Sequence, residues 1–346
     1  MKTIHISASR GYDVCIGSGL LHTLGDRAAA LCPGRTACIV SDDTVAALYA
    51  AAARASLEAS GFTVHTFVFP HGEQSKCGQT FLTLLGFLAA HQLTRSDLLI
   101  ALGGGVTGDL TGFAAACYLR GVRYIQVPTS LLAMVDSSVG GKTAIDLPQG
   151  KNLCGAFYQP ILVLCDTDLL ATLPEDIFRD GCAEVIKYGV LADPDLFERL
   201  GQRHAREQLE YVVSTCVELK RGIVEDDEFD TGRRQLLNLG HTLGHAVEAN
   251  SDFTVSHGQA VAIGMAMMAG AAARQGFCSD ETAAQIISLL QHYGLPTDTD
   301  QSPDDICRTA LGDKKRQGST ITLIVPRQIG QCDLHKIPVE ALKDWL

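Results

Sequence analysis

The sequence predicts an α/β N-terminal half with a Rossmann-like parallel sheet, followed by a mainly α-helical C-terminal half. The first observation is that short apolar runs alternate with helical segments between residues 37 and 166, an order typical of a parallel sheet covered by helices. The second is that strand patterns then stop, because residues 173–292 are helical in pattern and broken by isolated glycines. A late run, residues 319–334, predicts one hairpin within this half. We therefore expect two domains, residues 1–175 and 176–346.

The N-terminal elements follow from local patterns. Residues 1–24 contain a strand and a turn. The later strands are apolar runs that end in polar or small residues, as buried parallel strands do: residues 37–42, 62–69, 97–102, 122–127 and 161–166. Helices are expected at residues 44–60, from the end of the loop at residues 71–76 to about residue 92, and at residues 110–119. Ligands of such sheets bind where strands end, so the loops after the strands are the first candidates for a site.

Composition excludes several classes of protein. The 346 residues are 46% hydrophobic and 19% charged, as in ordinary globular proteins, and the net charge of −11 argues against nucleic acid or an anionic membrane as a partner. Twelve cysteines occur without a CxxC pair, and the first residues lack an apolar leader segment. These features predict reduced thiols and a cytoplasmic location. The uncharged stretch at residues 259–273 is too short and too rich in glycine to span a bilayer, so it predicts a buried helix.

A glycine-rich loop lies between a predicted strand and a predicted helix. Gly103, Gly105 and Gly108 match GxGxxG, in the context where glycines let a pyrophosphate approach the backbone at a helix N-terminus. The motif sits in the third βα unit and no acidic residue ends the next strand, so a tight structural turn is the alternative. Asp42 and the pair Glu73 and Lys76, at the same sheet edge, could bind a ribose instead.

Three histidines lie close together in the C-terminal half. His241 and His245 are four residues apart in a helical pattern, which places both on one helix face, and His257 follows a short turn. This arrangement is typical of a zinc site, with His241 and His245 as the ligand pair indicated by spacing. Two packed helix histidines and one loop histidine are the alternative, since the pattern lacks the glutamate of HExxH.

Other charged residues stand out against an acidic chain. Residues 136–152 have little apolar periodicity and carry Lys142, Lys151 and Asn152 around a GG turn, which predicts a functional loop rather than a linker. Glu184 and Lys187 lie three apart in an otherwise apolar helix, where burial without a metal or anion is costly, and a surface ion pair is the alternative. Further polar residues are, taken singly, as expected of a solvated surface: Lys220, Arg234, Asn238, Lys314 and Lys315.

An ordered set of motifs resembles one enzyme family. The motifs are HGEQSK, GGGVTGDLTGFAA, VPTSLLAMVDSSVGGKTAID, GKNLCGAFYQP, AEVIKYG and NLGHTLGHAVE. Singly each is weak, but in this order and spacing they resemble the 3-dehydroquinate synthases of the shikimate pathway over nearly the whole chain. The resemblance implies an N-terminal NAD-binding domain, a helical C-terminal domain and an active site in the cleft between them.

The resemblance also implies specific site residues. The divalent metal, usually zinc and alternatively cobalt, is implied to bind Glu184, His241 and His257, which leaves His245 beside the substrate. Implied NAD contacts are Asp42, His71, Gly72, Glu73, Gln74, Ser75, Lys76, Gly104, Gly105, Val106, Thr107, Gly108, Asp109, Thr129, Ser130, Lys142, Lys151, Leu169, Leu170, Ala171 and Thr172. Implied substrate residues are Asp136, Lys142, Asn152, Lys187, Lys220, Arg234, Asn238, His245 and Lys315. A homodimer is implied, with Arg120 reaching the neighbouring subunit's site.

The implied reaction converts 3-deoxy-D-arabino-heptulosonate 7-phosphate to 3-dehydroquinate. It proceeds by transient oxidation with NAD, β-elimination of phosphate, re-reduction, ring opening and aldol closure, so NAD is regenerated. Three alternatives remain at the level of sequence. They are another sugar-phosphate cyclase, a metal-dependent polyol dehydrogenase of similar fold, and a non-catalytic NAD-binding module. Lys220, Arg234 and the DKK stretch at residues 313–315 favour the carboxylated heptulosonate.

Overall fold

A computed structural model describes residues 1–252, 254–312 and 319–346. Its N-terminal part holds a seven-stranded sheet in the order β1-β2-β9-β6-β5-β3-β4. The strands of this sheet are β1 (Lys2–Ile6), β2 (Tyr12–Gly17), β3 (Thr36–Asp42), β4 (Thr63–Phe69), β5 (Leu98–Gly103), β6 (Arg123–Pro128) and β9 (Leu162–Asp166). Every pairing is parallel except that of β1 with β2, so the predicted parallel Rossmann-like sheet is confirmed.

The order of strands contains one point where the chain changes direction across the sheet. From β3 the chain moves to β4 on one side and then returns to β5 on the other. The carboxyl ends of β3 and β5 are therefore neighbours at a topological switch point, the place where open α/β sheets bind ligands. Asp42 ends β3, and the glycine-rich motif begins at the end of β5.

Helices flank the sheet, and two of them share a hydrophobic core with it. The flanking helices are α1 (Leu24–Leu31), α2 (Asp43–Val45), α3 (Ala51–Ala59), α4 (Gly78–Ala90) and α5 (Gly105–Cys117), with a π-helical turn at Ala46–Ala50. Leu84 and Leu88 of α4, with Leu110 and Phe113 of α5, pack on buried strand residues such as Leu99. The predicted start of the last helix at residue 110 is wrong, because α5 begins at Gly105. Glycines are poor helix formers, so the pattern hid the first turn.

Residues 136–152 are not the irregular loop predicted from their sparse apolar pattern. A π-helical turn, Ala133–Ser137, leads into an antiparallel hairpin of β7 (Lys142–Leu147) and β8 (Gly150–Phe157). This hairpin forms its own two-stranded sheet, and β8 is largely exposed. A strand that buries neither face has little apolar alternation, and this explains why the pattern was missed.

The C-terminal part is mainly helical, as predicted. Its helices are α6 (Glu175–Ala192), α7 (Pro194–Gln202), α8 (Leu209–Asp226), α9 (His241–Asn250), α10 (His257–Arg274), α11 (Asp280–His292) and α12 (Pro303–Gly312). The predicted hairpin is confirmed as β10 (Thr320–Gln328) and β11 (Gln331–Pro338). The predicted buried helix at residues 259–273 lies within α10, which buries twelve residues. None of the described helices combines the length and apolarity needed to cross a membrane.

The chain divides into two compact units. The first contains Met1–Leu173 together with Cys216–Phe229, and the second contains Pro174–Thr215 and Asp230–Leu346. The last part of α8 and the residues after it thus pack with the sheet, although the sequence places them among the C-terminal helices. The division at residue 175 and the active-site cleft between the halves stay predictions.

Candidate active site

The glycine-rich segment of the first unit forms the N-terminus of α5. Gly104 is the residue that precedes the helix, so no side chain of its own caps the first N–H groups. A Cβ added at Gly104 would lie 3.5 Å from Ser130 Oγ, and one added at Gly105 would lie 3.2 Å from Ser137 Oγ. The turn is therefore an open backbone cradle rimmed by hydroxyls at the switch point. It fits the pyrophosphate of a dinucleotide.

Lys76 connects three of the predicted segments of the first unit. Its ammonium lies 2.6 Å from Asp109 Oδ2 in α5 and donates to Asn152 Oδ1 of β8 at 2.5 Å. Glu73 Oε1 lies 3.8 Å from the Lys76 ammonium and 3.9 Å from that of Lys151. Burial alone would lower the pKa of Lys76, but the Asp109 and Glu73 carboxylates outweigh it and raise the pKa. Lys76 is therefore a fixed positive charge at the strand ends.

The remaining predicted nucleotide contacts lie on segments that follow strands of the sheet. Asp42 accepts a hydrogen bond from the backbone N–H of Val45 at 2.9 Å and so caps α2. The neighbouring Asp43 carboxylate lies 2.8 Å from His71 Nδ1 and also accepts from the His71 backbone N–H. The other predicted contacts lie on the turns that follow β4, β6 and β9, and they are Gly72, Gln74, Ser75, Thr129, Ser130, Leu169, Leu170, Ala171 and Thr172.

Tyr49 is a residue of this region that sequence reasoning missed. Its hydroxyl donates to the carbonyl of Leu169 at 3.1 Å and lies 2.6 Å from Thr172 Oγ1. Tyr49 belongs to the π-helical turn Ala46–Ala50, and such turns are frequent at functional sites. In an alanine-rich helical pattern only the lone aromatic residue could have indicated it.

The predicted substrate residues of the first unit lie on the π-helical turn Ala133–Ser137, on the hairpin β7–β8 and on α8. Lys220 is buried, and its ammonium donates to both the Asp136 carbonyl, at 2.6 Å, and Asp136 Oδ1, at 2.5 Å. Lys142 is exposed at the start of β7. Asn152 has a φ of 55°, a left-handed conformation that asparagine adopts more readily than most residues. Arg120 is exposed in a turn where its own φ is 65°.

In the second unit, one carboxylate faces two histidines. Glu184 Oε1 lies 3.1 Å from His257 Nε2 and 3.3 Å from His241 Nε2. A ligand atom from each of these three residues lies within 4.8 Å of the other two. Glu184 comes from the middle of α6, His241 from the first residue of α9, and His257 from the first residue of α10. One carboxylate and two imidazoles are the donor set of many catalytic zinc sites, so these residues fit a divalent metal.

Electrostatics keep the Glu184 carboxylate ionised and the His241 imidazole neutral, whereas the pKa of His257 is raised. Burial would raise the pKa of Glu184, but the adjacent Lys187 ammonium and the histidines hold it well below its ordinary value. Burial lowers the pKa of His241 to about 3, so this imidazole is neutral. Burial acts in the same direction on His257, but its hydrogen bond to Glu184 outweighs burial and raises the pKa. An ionised carboxylate beside an uncharged imidazole is the protonation state that a metal requires.

The other predicted residues of the second unit surround this cluster. Lys187 forms an ion pair with Glu184 one helical turn away. Arg234 is buried in the 3₁₀ turn Arg233–Asn238, which packs against α6, and the same turn carries Asn238. The His245 ring lies 5.2 Å from that of His241 and 6.0 Å from that of His257. Lys314 and Lys315 lie outside the described residues.

The geometry brings all three histidines together, and His257 belongs to two groups of possible metal ligands. His245, Glu248 and His257 form a second group whose ligand atoms lie within 4.8 Å of one another. Glu248 is a buried carboxylate that sequence reasoning missed, although its place three residues after His245 puts both on one helix face. Among the described residues, neither group contains both His241 and His245, the pair indicated by spacing.

Comparisons with known proteins identify the family. The family model described as 3-dehydroquinate synthase N-terminal matches residues 66–180, and that described as 3-dehydroquinate synthase C-terminal matches residues 181–316. The 3-dehydroquinate synthase of Pelobacter propionicus is 45% identical, covering 96% of this chain and 94% of its own. That of Enterococcus faecalis strain OG1RF is 40% identical over 100% of this chain and 98% of its own. This chain belongs to the 3-dehydroquinate synthase family.

Solved structures place the 3-dehydroquinate synthase fold among related cyclases. A 2-deoxy-scyllo-inosose synthase complexed with carbaglucose-6-phosphate, NAD⁺ and Co²⁺ is 26% identical, with a TM-score of 0.88 and 99% of both chains covered. A 2-epi-5-epi-valiolone synthase from Streptomyces hygroscopicus with NAD⁺ and Zn²⁺ is 25% identical, with a TM-score of 0.89 and coverage of 99% and 97%. A probable glycerol dehydrogenase from Sinorhizobium meliloti, at 17% identity and a TM-score of 0.62 over 96% and 94% of the two chains, shares the fold alone.

Proposed function

We propose that this chain converts 3-deoxy-D-arabino-heptulosonate 7-phosphate to 3-dehydroquinate and phosphate in the shikimate pathway. It would act as a carbon–oxygen lyase that uses NAD and a divalent metal, zinc or cobalt. Full-length identity of 40–45% to 3-dehydroquinate synthases is the observation that carries this proposal. NAD⁺ with Co²⁺ or Zn²⁺ in two cyclases of the same fold supports the choice of cofactors.

The metal would bind to Glu184, His241 and His257. When bound, it supplies a Lewis acid that stabilises an alkoxide on the substrate. Lys187 keeps the Glu184 carboxylate ionised, since the two side chains form an ion pair inside α6. Removing Lys187 would therefore weaken the ligand set although Lys187 is not itself a ligand.

NAD would bind at the switch point of the first unit. It supplies a reversible hydride acceptor, so the overall reaction is redox-neutral. The α5 N-terminus and the Gly104 turn would bind its pyrophosphate, because free N–H groups there attract an anion. Lys76 and Lys151, with Glu73 between them, would orient the rest of the dinucleotide.

The substrate carries a carboxylate and a phosphate. The family resemblance assigns several cationic side chains to the site, and their charge is complementary to these two groups. We assign anion binding to Lys142, Lys187, Lys220, Arg234 and Lys315, and orientation of hydroxyls to Asp136, Asn152 and Asn238. His245 would move a proton near the leaving phosphate, and the phosphate itself is the second candidate base. Fixed cations and amides lower the barrier chiefly by positioning and electrostatics.

Assembly and location are also proposals. A homodimer in the cytoplasm, with Arg120 contributing to the neighbouring subunit's site and an active site in the cleft between the two units, agrees with the family resemblance. Twelve cysteines occur as free thiols in the described structure, which agrees with a reducing compartment.

A phosphate-release assay on two sugars tests the substrate. Protein with NAD and zinc is expected to release phosphate from the heptulosonate at least about 100-fold faster than from glucose 6-phosphate, which lacks the carboxylate for buried cations to bind. Equal rates on both sugars, or release from glucose 6-phosphate alone, would assign the chain to another cyclase activity.

A further inference from the structure

The turn that precedes Lys142 packs against a buried residue that has no role in the proposed reaction. We propose that Gln159 is a positioning residue that fixes the Gly140–Gly141 turn and, with it, the place of Lys142. This inference rests on the proposed function, because Lys142 is there assigned to bind the substrate. Its structural part depends only on contacts within the first unit.

The two glycines of this turn have unusual backbone conformations. Gly140 has a φ of 95° and Gly141 a φ of 69°, conformations that favour glycine. Lys142 follows at once and is exposed, so the direction of its side chain depends on how firmly the turn is held. Two hydrogen bonds contribute, from the Gly140 N–H to the Tyr12 side-chain Oη at 3.0 Å and from the Tyr158 N–H to the Gly141 carbonyl at 2.7 Å.

Gln159 closes the remaining side of the turn. Its side chain is only 4% exposed, and a Cβ added at Gly141 would lie 2.6 Å from its Cδ. The amide therefore packs directly against the Gly141 backbone and occupies the space that any larger residue at that position would need.

The Gln159 amide is anchored in turn by Glu228. Its Nε2 donates to Glu228 Oε1 at 2.8 Å. The same carboxylate accepts from Ser9 Oγ at 2.6 Å and from the Ser9 backbone N–H at 2.8 Å. A continuous chain of contacts thus runs from the β1–β2 turn through Glu228 and Gln159 to Gly141.

The Glu228–Gln159 contacts are a second attachment between the segment Cys216–Phe229 and residues 136–142. Lys220 of α8 donates to Asp136 at one end of residues 136–142, and Glu228, just beyond α8, acts through Gln159 at the other end. The segment Cys216–Phe229 therefore fixes both ends of the stretch that carries two predicted substrate residues. Lys220 does so directly and Gln159 as an intermediary.

The test compares variants that remove the hydrogen bond between Gln159 and Glu228 with one that removes a neighbouring contact. Gln159→Met keeps the volume but removes the donor, and Glu228→Ala removes the acceptor. Glu225→Ala is the matched control, because Glu225 accepts from the Ser7 backbone N–H at 2.7 Å in the same turn, whereas Gln159 donates to Glu228. Glu228→Gln is the conservative variant, since its amide oxygen can still accept.

Hydrogen exchange at the Gly140 amide gives a readout that does not depend on the reaction. Gln159→Met and Glu228→Ala should each accelerate it about 10-fold, the double variant should add nothing further, and Glu225→Ala and Glu228→Gln should stay near wild type. Wild-type exchange in both breaking variants, or equal acceleration in Glu225→Ala, would overturn the positioning role.

Kinetics then test the consequence for Lys142. Because a displacement of about 1 Å can cost on the order of 100-fold, we expect KM for the heptulosonate to rise about 10-fold in Gln159→Met while kcat changes less than about threefold. A fall in kcat with unchanged KM would contradict the assignment to Lys142. If wild-type protein releases no phosphate, the proposed function fails, and the exchange experiment still decides whether Gln159 holds the turn.

Discussion

The two candidate binding regions of this chain are built by opposite means. The nucleotide region of the first unit is made from backbone, at a glycine turn that joins β5 to α5 within a few consecutive residues. The metal region of the second unit is made from buried charge, and Glu184 and His257 are 73 residues apart in the sequence. A backbone site is encoded locally and tolerates most side-chain changes, whereas a site of paired buried charges depends on every member.

Because of this difference, we expect the largest loss of binding when Glu184 is replaced. Glu184→Gln should weaken metal binding more than about 100-fold, beyond the range typical of changes to residues that only support a ligand. Elemental analysis after dialysis measures it, and thermal melting of the metal-free proteins checks that the variant folds with Lys187 left beside an amide. Glu175→Gln in the same helix is the control, because Glu175 pairs with Arg206 at the exposed surface and should retain full metal content.

Substitutions of two histidines distinguish the two possible sets of metal ligands. His257→Ala should lose metal as Glu184→Gln does, whereas His245→Ala should keep about one metal per chain and lose activity. Retained metal in His257→Ala with loss in His245→Ala would assign the metal to the pair indicated by helical spacing alone.

A substitution in the glycine turn should have a smaller effect than one in the metal region, and it should change NAD affinity alone. Gly104→Ala fits the fold, because φ is −75° and the added methyl would make only an ordinary contact with Ser130. The methyl would nevertheless occupy the face that a pyrophosphate approaches, so NAD affinity should fall about 10-fold, or ~1.4 kcal/mol, with metal content unchanged. Calorimetric titration of NAD measures this loss.

An exposed helical glycine provides the control for that change. A Cβ at Gly86 in α4 would meet no atom within 4 Å, so Gly86→Ala should stabilise the protein by about 0.5–1 kcal/mol and leave NAD affinity alone. Unchanged NAD affinity in Gly104→Ala would argue that the glycine turn is structural, the alternative that its sequence left open.

The contrast also explains what the sequence could predict. Strands β3, β5, β6 and β9 are visible because each is a short buried apolar run, and β4 is visible from its β-branched and aromatic residues. The fold class follows from their alternation with helices. The hairpin β7–β8 was not visible, because its exposed strand has little alternation. The π-helical turns left no pattern, so Tyr49 was missed.

For the metal region, spacing within one helix suggested His241 and His245. It could not find Glu184, whose place beside the histidines depends on how α6, α9 and α10 pack. Charge and position marked Glu184 and His257 separately, but only resemblance to a family combined them with His241 as a ligand set. The structure places both beside His241. Their roles as ligands stay predictions until metal content is measured.

The balance between phosphate and NADH tests the central proposal most directly. Both are followed together in one reaction that contains the protein, zinc, NAD and excess heptulosonate. We expect many equivalents of phosphate per NAD with no net NADH, because the hydride returns to the product in every turnover. NADH that accumulates in step with substrate loss, as in the dehydrogenases that share this fold, would contradict it.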